Sequence, residues 1–286
     1  VAISLDFSRS SGHNTRERTQ GRLLALPALL WLLLFFLLPL VIVLVVSLMT
    51  RGRAGTVTLP LTLENYERVF TTYLPTFGDS ILIALLTTII CLVIGYPLAF
   101  FISTRERRWV QQVALFLVIL PFWTNFLVRT YAWKVILGPD GVISALSGGG
   151  VNLLNTNTAV LIGLVYGFLP FMVLPIYTSI ERFDFRLVEA SHDLGANDWR
   201  AFWRVVFPLT LPGVAAGCIL VFIPAIGAFV TPDLLGGTQG FMIGNLINQQ
   251  FRGLGHWPRG AAASMVMMAL VVVGLMFYTW MNRRRN

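Results

Sequence analysis

The stretch Glu189-Ala190-Ser191-His192-Asp193-Leu194-Gly195, followed by Phe202-Trp203-Arg204-Val205-Val206-Phe207-Pro208, is a polar segment set between two long apolar runs. Its order is that of a helix-turn-helix. Asp184 can cap a short helix beginning near Phe185-Arg186-Leu187-Val188-Glu189. Gly195 has no side chain, so it can end that helix in a left-handed conformation. Asn197 or Asp198 can cap a second helix from Trp199 to Val206, with Trp199, Phe202, Trp203 and Val206 as its apolar positions, and Pro208 then opens the next run. Such a rigid knob fits a groove on another protein, where Glu189 and Asp193, one turn apart, can meet basic or backbone donors.

The flanking runs decide the fold class. A chain of 286 residues that is 56% hydrophobic and 12% charged, with mean hydropathy +0.75, is not soluble. Six runs suffice to cross a bilayer, at about 20 apolar residues each: 23–48, 80–102, 111–136, 158–180, 209–230 and 260–281. Lipid offers backbone groups no partner, so the spans are expected to be helices, and barrel strands would be shorter and alternating. The expectation is an all-α membrane protein with one membrane domain over 23–281, a polar tail at 1–22, a basic tail at 282–286 and the knob within loop 181–208.

Basic residues set the orientation. With the N-terminus inside, inside segments hold Arg9, Arg16, Arg18, Arg22, Arg105, Arg107, Arg108, Arg182, Arg186, Arg200, Arg204, Arg283, Arg284 and Arg285. Outside loops hold Arg51, Arg53, Arg68, Arg252 and Arg259, while Arg129 and Lys134 fall in the outer part of span 3. Both termini and the polar knob are therefore predicted to be cytoplasmic. The net charge of +8 reflects inside flanks facing anionic headgroups, and no basic soluble module points to nucleic acid. Cys91 and Cys218 lie inside spans and read as packing residues. Span 1 exceeds the short apolar core of a signal peptide and reads as an anchor.

Several local features sharpen the picture. Pro27 and Pro39 predict an early turn and a kink in span 1. Thr62 can cap a short interfacial helix whose apolar face is Leu63, Tyr66, Val69 and Phe70. Gly138-Pro139-Asp140-Gly141 predicts a turn, and Gly148-Gly149-Gly150 a flexible stretch. Span 5 is rich in breakers: Pro212, Gly213, Gly217, Pro224 and Gly227. Gly213 and Gly217, four apart, permit close helix approach, while Pro224 and Gly227 allow a break. Either the span lines a translocation path or it is only tightly packed.

The loop resembles the EAA loop of permease subunits in binding-protein-dependent ABC importers, whose pattern is E-A-A-x3-G-x9-I-x-L-P. Glu189, Ala190, Gly195 and Pro208 match, and Ser191, Val205 and Phe207 replace Ala, Ile and Leu with the spacing intact. The resemblance implies a type I ABC importer permease fold and a loop that docks on an ATPase subunit. Docking then falls to Glu189, Ala190, Ser191 and Gly195, with Asp193, Leu194 and Ala196 as neighbours. No G-x4-G-K-[ST] motif is present, no His or Cys set has metal-ligand spacing, and no nucleophile elbow occurs. The chain is thus expected to be non-catalytic and to bind no cofactor, with ATP and Mg on a partner ATPase.

Two further stretches resemble the polyamine permeases of this superfamily: 122–133, from Phe122-Trp123-Thr124-Asn125 to Tyr131-Ala132-Trp133, and 223–237, from Ile223-Pro224 through Thr231-Pro232-Asp233 to Gly237. The likeness spans roughly 20–282. It implies putrescine or spermidine import across the bacterial inner membrane, with two ATPase subunits, a second related permease and a periplasmic binding protein. A polyamine needs carboxylates for its ammonium ends and aromatic faces for its body. Candidates along the path are Asp233, Trp123, Tyr131, Tyr166, Phe168 and Phe229. Aromatics at span ends also serve as interfacial belts, and an Arg129–Asp233 pair could act as a structural clamp. Other cargoes of the same machine (ferric iron, sulfate, a thiamine-like cation) stay open, as does an ion-coupled secondary transporter.

Overall fold

The computed structural model describes residues 26–52, 55–148 and 152–283. The tail 1–22, the residues Arg53, Gly149 and Gly150, and residues 284–286 of the basic tail lie outside the described residues.

Among the described residues five helices are long and apolar enough to cross a membrane: α1 (Leu26–Ser47), α3 (Leu74–Ser103), α7 (Asn157–Glu181), α9 (Asp198–Ile226) and α11, whose apolar part is Trp257–Trp280. A sixth candidate crossing is the pair Arg108–Trp123 (α4) and Phe126–Leu146, whose first part is α5 (Phe126–Leu137); together they are apolar enough for one crossing, and they are bent by 93° at the break between them. The single straight span expected over 111–136 is therefore broken. Pro121 leaves the end of α4 short of an amide donor, and the Thr124 hydroxyl donates to the Pro121 carbonyl at 2.7 Å. Asn125 Oδ1 then accepts the Leu127 amide at 2.9 Å and starts α5 afresh. A one-turn helix, α6 (Val142–Leu146), follows the Gly138–Gly141 turn.

Between α1 and α3 the chain forms a hairpin that the sequence pattern did not announce. Strands β1 (Met49–Arg51) and β2 (Val57–Leu61) pair antiparallel. The buried Asn65 side chain donates to the Ser47 and Met49 carbonyls at 3.0 and 2.9 Å, tying the hairpin to α2 (Glu64–Thr72). The N-cap position of α2 falls to Leu63 rather than Thr62, whose hydroxyl, one residue further out, accepts the Glu64 amide at 3.1 Å. The buried face of α2 differs from the one expected. Val69 is buried and Tyr66 reaches Ser47 through a 2.7 Å hydroxyl contact, but Leu63 and Phe70 are exposed. Leu63 precedes the helix, and Phe70 lies a step of 100° round from Val69, so the inward positions go to Asn65 and Val69. Burial, together with neighbouring Arg259 and Arg51, holds the His256 imidazole below its ordinary value.

The main core is the contact of α3, α7 and α9. Met172 of α7 is wedged between two glycines: a Cβ at Gly95 would lie 3.0 Å from its Cγ, and one at Gly217 would lie 2.8 Å from its Sδ. At Gly213 a Cβ would come within 2.6 Å of the Pro175 carbonyl oxygen. The 213/217 pair is thus where α9 crosses α7, the close approach that small residues allow without hydrophobic help from lipid. Buried hydroxyls bond within their own helices, as Thr87 and Thr88 do to the Ile83 and Ala84 carbonyls. Tyr96 Oη and Thr210 Oγ1, 2.9 Å apart, link α3 to α9.

Prolines shape these helices by widening them. Pro39 follows a π stretch at Leu33–Leu37, and Pro208 follows one at Phe202–Val206. A proline ring clashes with the carbonyl four residues back, and an i→i+5 turn moves that carbonyl aside. The Phe207 amide accordingly donates to the Phe202 carbonyl. Pro208 therefore does not end the second helix of the knob, as the sequence implied; α9 runs unbroken for 29 residues from Asp198 to Ile226. Its break falls at Gly227, while Pro224 stays inside the helix. A π turn at Pro232–Gly236 and helix α10 (Ile243–Asn248) fill the return to α11 (Trp257–Arg283).

Candidate functional site

The knob is built from α8 (Arg186–Asp193), a turn, and the first residues of α9. Asp184 Oδ1 accepts the Arg186 amide at 3.0 Å and opens α8. The end of α8 is a full Schellman closure. The Ala196 amide donates to the Ser191 carbonyl at 3.0 Å, the Gly195 amide donates to the His192 carbonyl at 2.8 Å, and Gly195 has φ +84°. Asn197, rather than Asp198, caps α9, accepting the Arg200 amide at 2.9 Å. His192 Nε2 and Asp198 Oδ1 lie 3.2 Å apart and bridge the two helices.

The surface that results is exposed and rigid. Glu189, Ala190, Asp193 and Gly195 are exposed, Ser191 and Ala196 are half-buried, and Leu194 stands at the tip with 90% of its area bare. A Cβ at Gly195 would meet nothing within 4 Å among the described residues. The knob's roots are aromatic. Phe202 meets Tyr96 edge to face at 5.6 Å, and Trp203 and Phe207 lie 5.0 Å apart, so α9 enters the core directly from the knob. A cleft of about 500 Å³ lies behind it, between α7, α8 and α9, lined by Ser179, Arg182, Asp184, Leu187 and Leu209 among others.

The candidate path residues fall into separate places. Asp233 is exposed on the π turn and lines a cleft of about 390 Å³ with Asn245, Asn248, Gln249 and Arg252. Phe229 lines a neighbouring cleft that shares Asn248 and Arg252. Asn248 and Arg252 were not singled out from sequence, since polar residues in a connecting segment carry no period. Phe168 lines a third cleft of about 290 Å³, with Phe122, Phe126, Arg129, Phe171 and Thr231. Tyr166 stands at this cleft through Arg129, whose guanidinium carbon is 5.7 Å from its ring. Trp123 and Tyr131, exposed by 80% and 53%, line none of the three.

The Arg129–Asp233 clamp is not formed. Arg129 Nη1 donates to the Pro121 carbonyl at 2.6 Å, and among the described residues no carboxylate comes within 4.0 Å of it. Its charge rests instead against ring faces, because the bend at Thr124–Asn125 turns α5 back beside the end of α4. α7 packs tightly on the segment that carries Asp233, and Thr231 of that segment lines the Arg129 cleft. A Cβ at Gly163 would sit 2.6 Å from Leu235 Cδ1 and 2.7 Å from Thr231 Cγ2.

Residues 92–286 match the family described as the binding-protein-dependent transport system inner membrane component. The chain belongs to this family. It is a multi-span inner-membrane permease, a non-catalytic subunit of its transport system, and a gradient-driven carrier is thereby set aside. Its similarity to individual relatives runs almost end to end. It is 43% identical over 263 residues to the spermidine/putrescine transport system permease protein PotB of Haemophilus influenzae, covering 90% of this chain and 92% of that one. It is 41% identical to PotB of Escherichia coli over 262 residues, 89% and 94% of the two chains. In shape it is similar to a chain of a bacterial ABC transporter involved in alginate import, with TM-score 0.75 over 95% of this chain and 98% of that one. At 15% identity that likeness speaks for the permease fold alone.

Proposed function

We propose that this chain is one of the two permease subunits of an ATP-driven polyamine importer, moving putrescine or spermidine inward by alternating access. The observation that carries the cargo is identity of 41–43% along nine-tenths of the chain to permeases named for spermidine and putrescine. Fold alone would not carry it, since an alginate system has the same fold. The partners in this reading are two ATPase subunits, which hold ATP and Mg, a second related permease and a periplasmic binding protein. This chain holds no cofactor. Both termini and the knob face the cytoplasm, as the arginine distribution requires.

The stroke enters at the knob. Glu189, Ala190, Ser191, Asp193, Leu194, Gly195 and Ala196 form the docking face, and α9 carries the displacement as a single lever of about 43 Å at 1.5 Å per residue. The lever crosses α7 at Gly213 and Gly217 and ends at Gly227, beside the segment that bears Phe229 and Asp233. Asp233 supplies a carboxylate for a cargo ammonium, and Phe229 an apolar face for its methylenes. Movement of the ATPase dimer is thereby converted into a change at the outer end of the path.

Leu194 tests the docking face. An isolated leucine with 90% of its area bare contributes nothing to this chain's core, and burying it in a partner groove is worth about 2 kcal/mol. Leu194→Asp is expected to weaken capture of the ATPase subunits by the purified permease at least tenfold, with unchanged amounts of permease in the membrane. Capture equal to wild type would remove α8 from the interface.

A further inference from the structure

We propose that Arg129 is a tethered occupant of a cation site, filling the aromatic cage that receives a cargo ammonium once Arg129 swings out. The inference rests on the polyamine reading and deepens it.

Three rings surround the guanidinium: its carbon lies 5.6 Å from the Phe126 centroid, 5.7 Å from Tyr166 and 6.0 Å from Phe122. Those are distances at which a ring quadrupole attracts a cation, with ammonium or guanidinium alike. Among the described residues its hydrogen-bond partner is the Pro121 carbonyl, and no carboxylate there fixes the charge in place. A carbonyl and ring faces are what a free organic ammonium would also find.

Two observations separate this from a purely structural arginine. The Pro121 carbonyl already accepts the Thr124 hydroxyl at 2.7 Å and the Thr124 amide at 3.4 Å. Its two lone pairs are satisfied without Arg129, so the break between α4 and α5 does not need the guanidinium. The cage also opens into the cleft lined by Gly163, Gly167, Phe168 and Thr231, and Thr231 is two residues from Asp233. A seated Arg129 both fills the cage and repels a second cation. Ionisable side chains are kept inside membrane segments for such work.

The test uses the complete permease–ATPase complex in lipid nanodiscs without binding protein, with labelled putrescine and labelled n-butylammonium as ligands. Wild type and Arg129→Lys, which keep a cation in the cage, are expected to bind both weakly. Arg129→Gln is expected to bind both at least tenfold more tightly, and a further Phe126→Leu and Tyr166→Leu change is expected to abolish the gain. Arg129→Met, which keeps the apolar stem, carries the same expectation should the glutamine variant not assemble. Binding within twofold of wild type in an assembled Arg129→Gln complex, with ATP hydrolysis intact, would overturn the proposal. So would a gain that survives loss of the two rings. A gain for n-butylammonium without one for putrescine supports the cage and overturns the polyamine reading.

Discussion

Gly195→Val is expected to reduce ATP-driven uptake to background while the chain remains in the membrane within about twofold of wild-type amounts. Gly195 sits at φ +84°, where an L residue is disfavoured by about 1–2 kcal/mol, and a β-branched one most of all. That cost falls on the Schellman closure of α8, whose residues are not among the core cluster of α3, α7 and α9. Among the described residues a Cβ there touches nothing within 4 Å, so the membrane domain is expected to stand. What changes is the surface presented to the ATPase, which loses both its turn and its close approach. Gly195→Asn separates the two, because asparagine tolerates the left-handed conformation. Uptake is expected to be lost there too, as the added bulk blocks the partner. Normal uptake in Gly195→Asn, beside loss in Gly195→Val, would make the glycine's role conformational only.

Gly213→Val is expected to remove most of the chain from the membrane. Its Cβ would lie 2.6 Å from the Pro175 carbonyl oxygen, a backbone atom that cannot rotate away. Relieving that contact means parting α7 from α9, the two helices that hold Met172 against Gly217. Overpacking a close helix crossing costs about 1–3 kcal/mol, and the backbone contact puts this case at the upper end. Gly274 is the matched control, with nothing within 4 Å of a Cβ, so Gly274→Val is expected to accumulate normally. Quantitative immunoblotting of membranes checks the pair. Equal amounts of the two variants would show that the α7–α9 crossing tolerates widening.

The pattern of apolar runs was legible because lipid permits no unpaired backbone, so each crossing must be written as a long uninterrupted stretch. The bend of span 3 was not, because Thr124 and Asn125 are flanked by apolar residues on both sides and two polar residues do not interrupt a run. Pro121 followed by Asn125, a helix stop followed by a cap, was the available signal. The continuity of α9 through Pro208 was hidden for the opposite reason: proline ordinarily ends a helix, and only a π turn at Phe202–Val206 lets this one continue. Strands of three and five residues leave no period to read.

At the site, Gly195 was readable because few residues other than glycine close a helix at positive φ. Its neighbours Leu194 and Glu189 follow from the same spacing, and they are exposed on the knob. The surroundings of Arg129 were not readable. Charge complementarity pointed to Asp233, whereas the fold surrounds it with Phe122, Phe126 and Tyr166, brought together by a bend invisible in the sequence.

The most direct measurement is uptake of labelled putrescine and spermidine into proteoliposomes holding the complete complex, supplied with binding protein outside and ATP inside. The expected result is uptake that requires both ATP and binding protein, and that unlabelled polyamine competes away while sulfate and ferric iron do not. A fully assembled complex that hydrolyses ATP in response to its binding protein, yet accumulates neither polyamine, would contradict it.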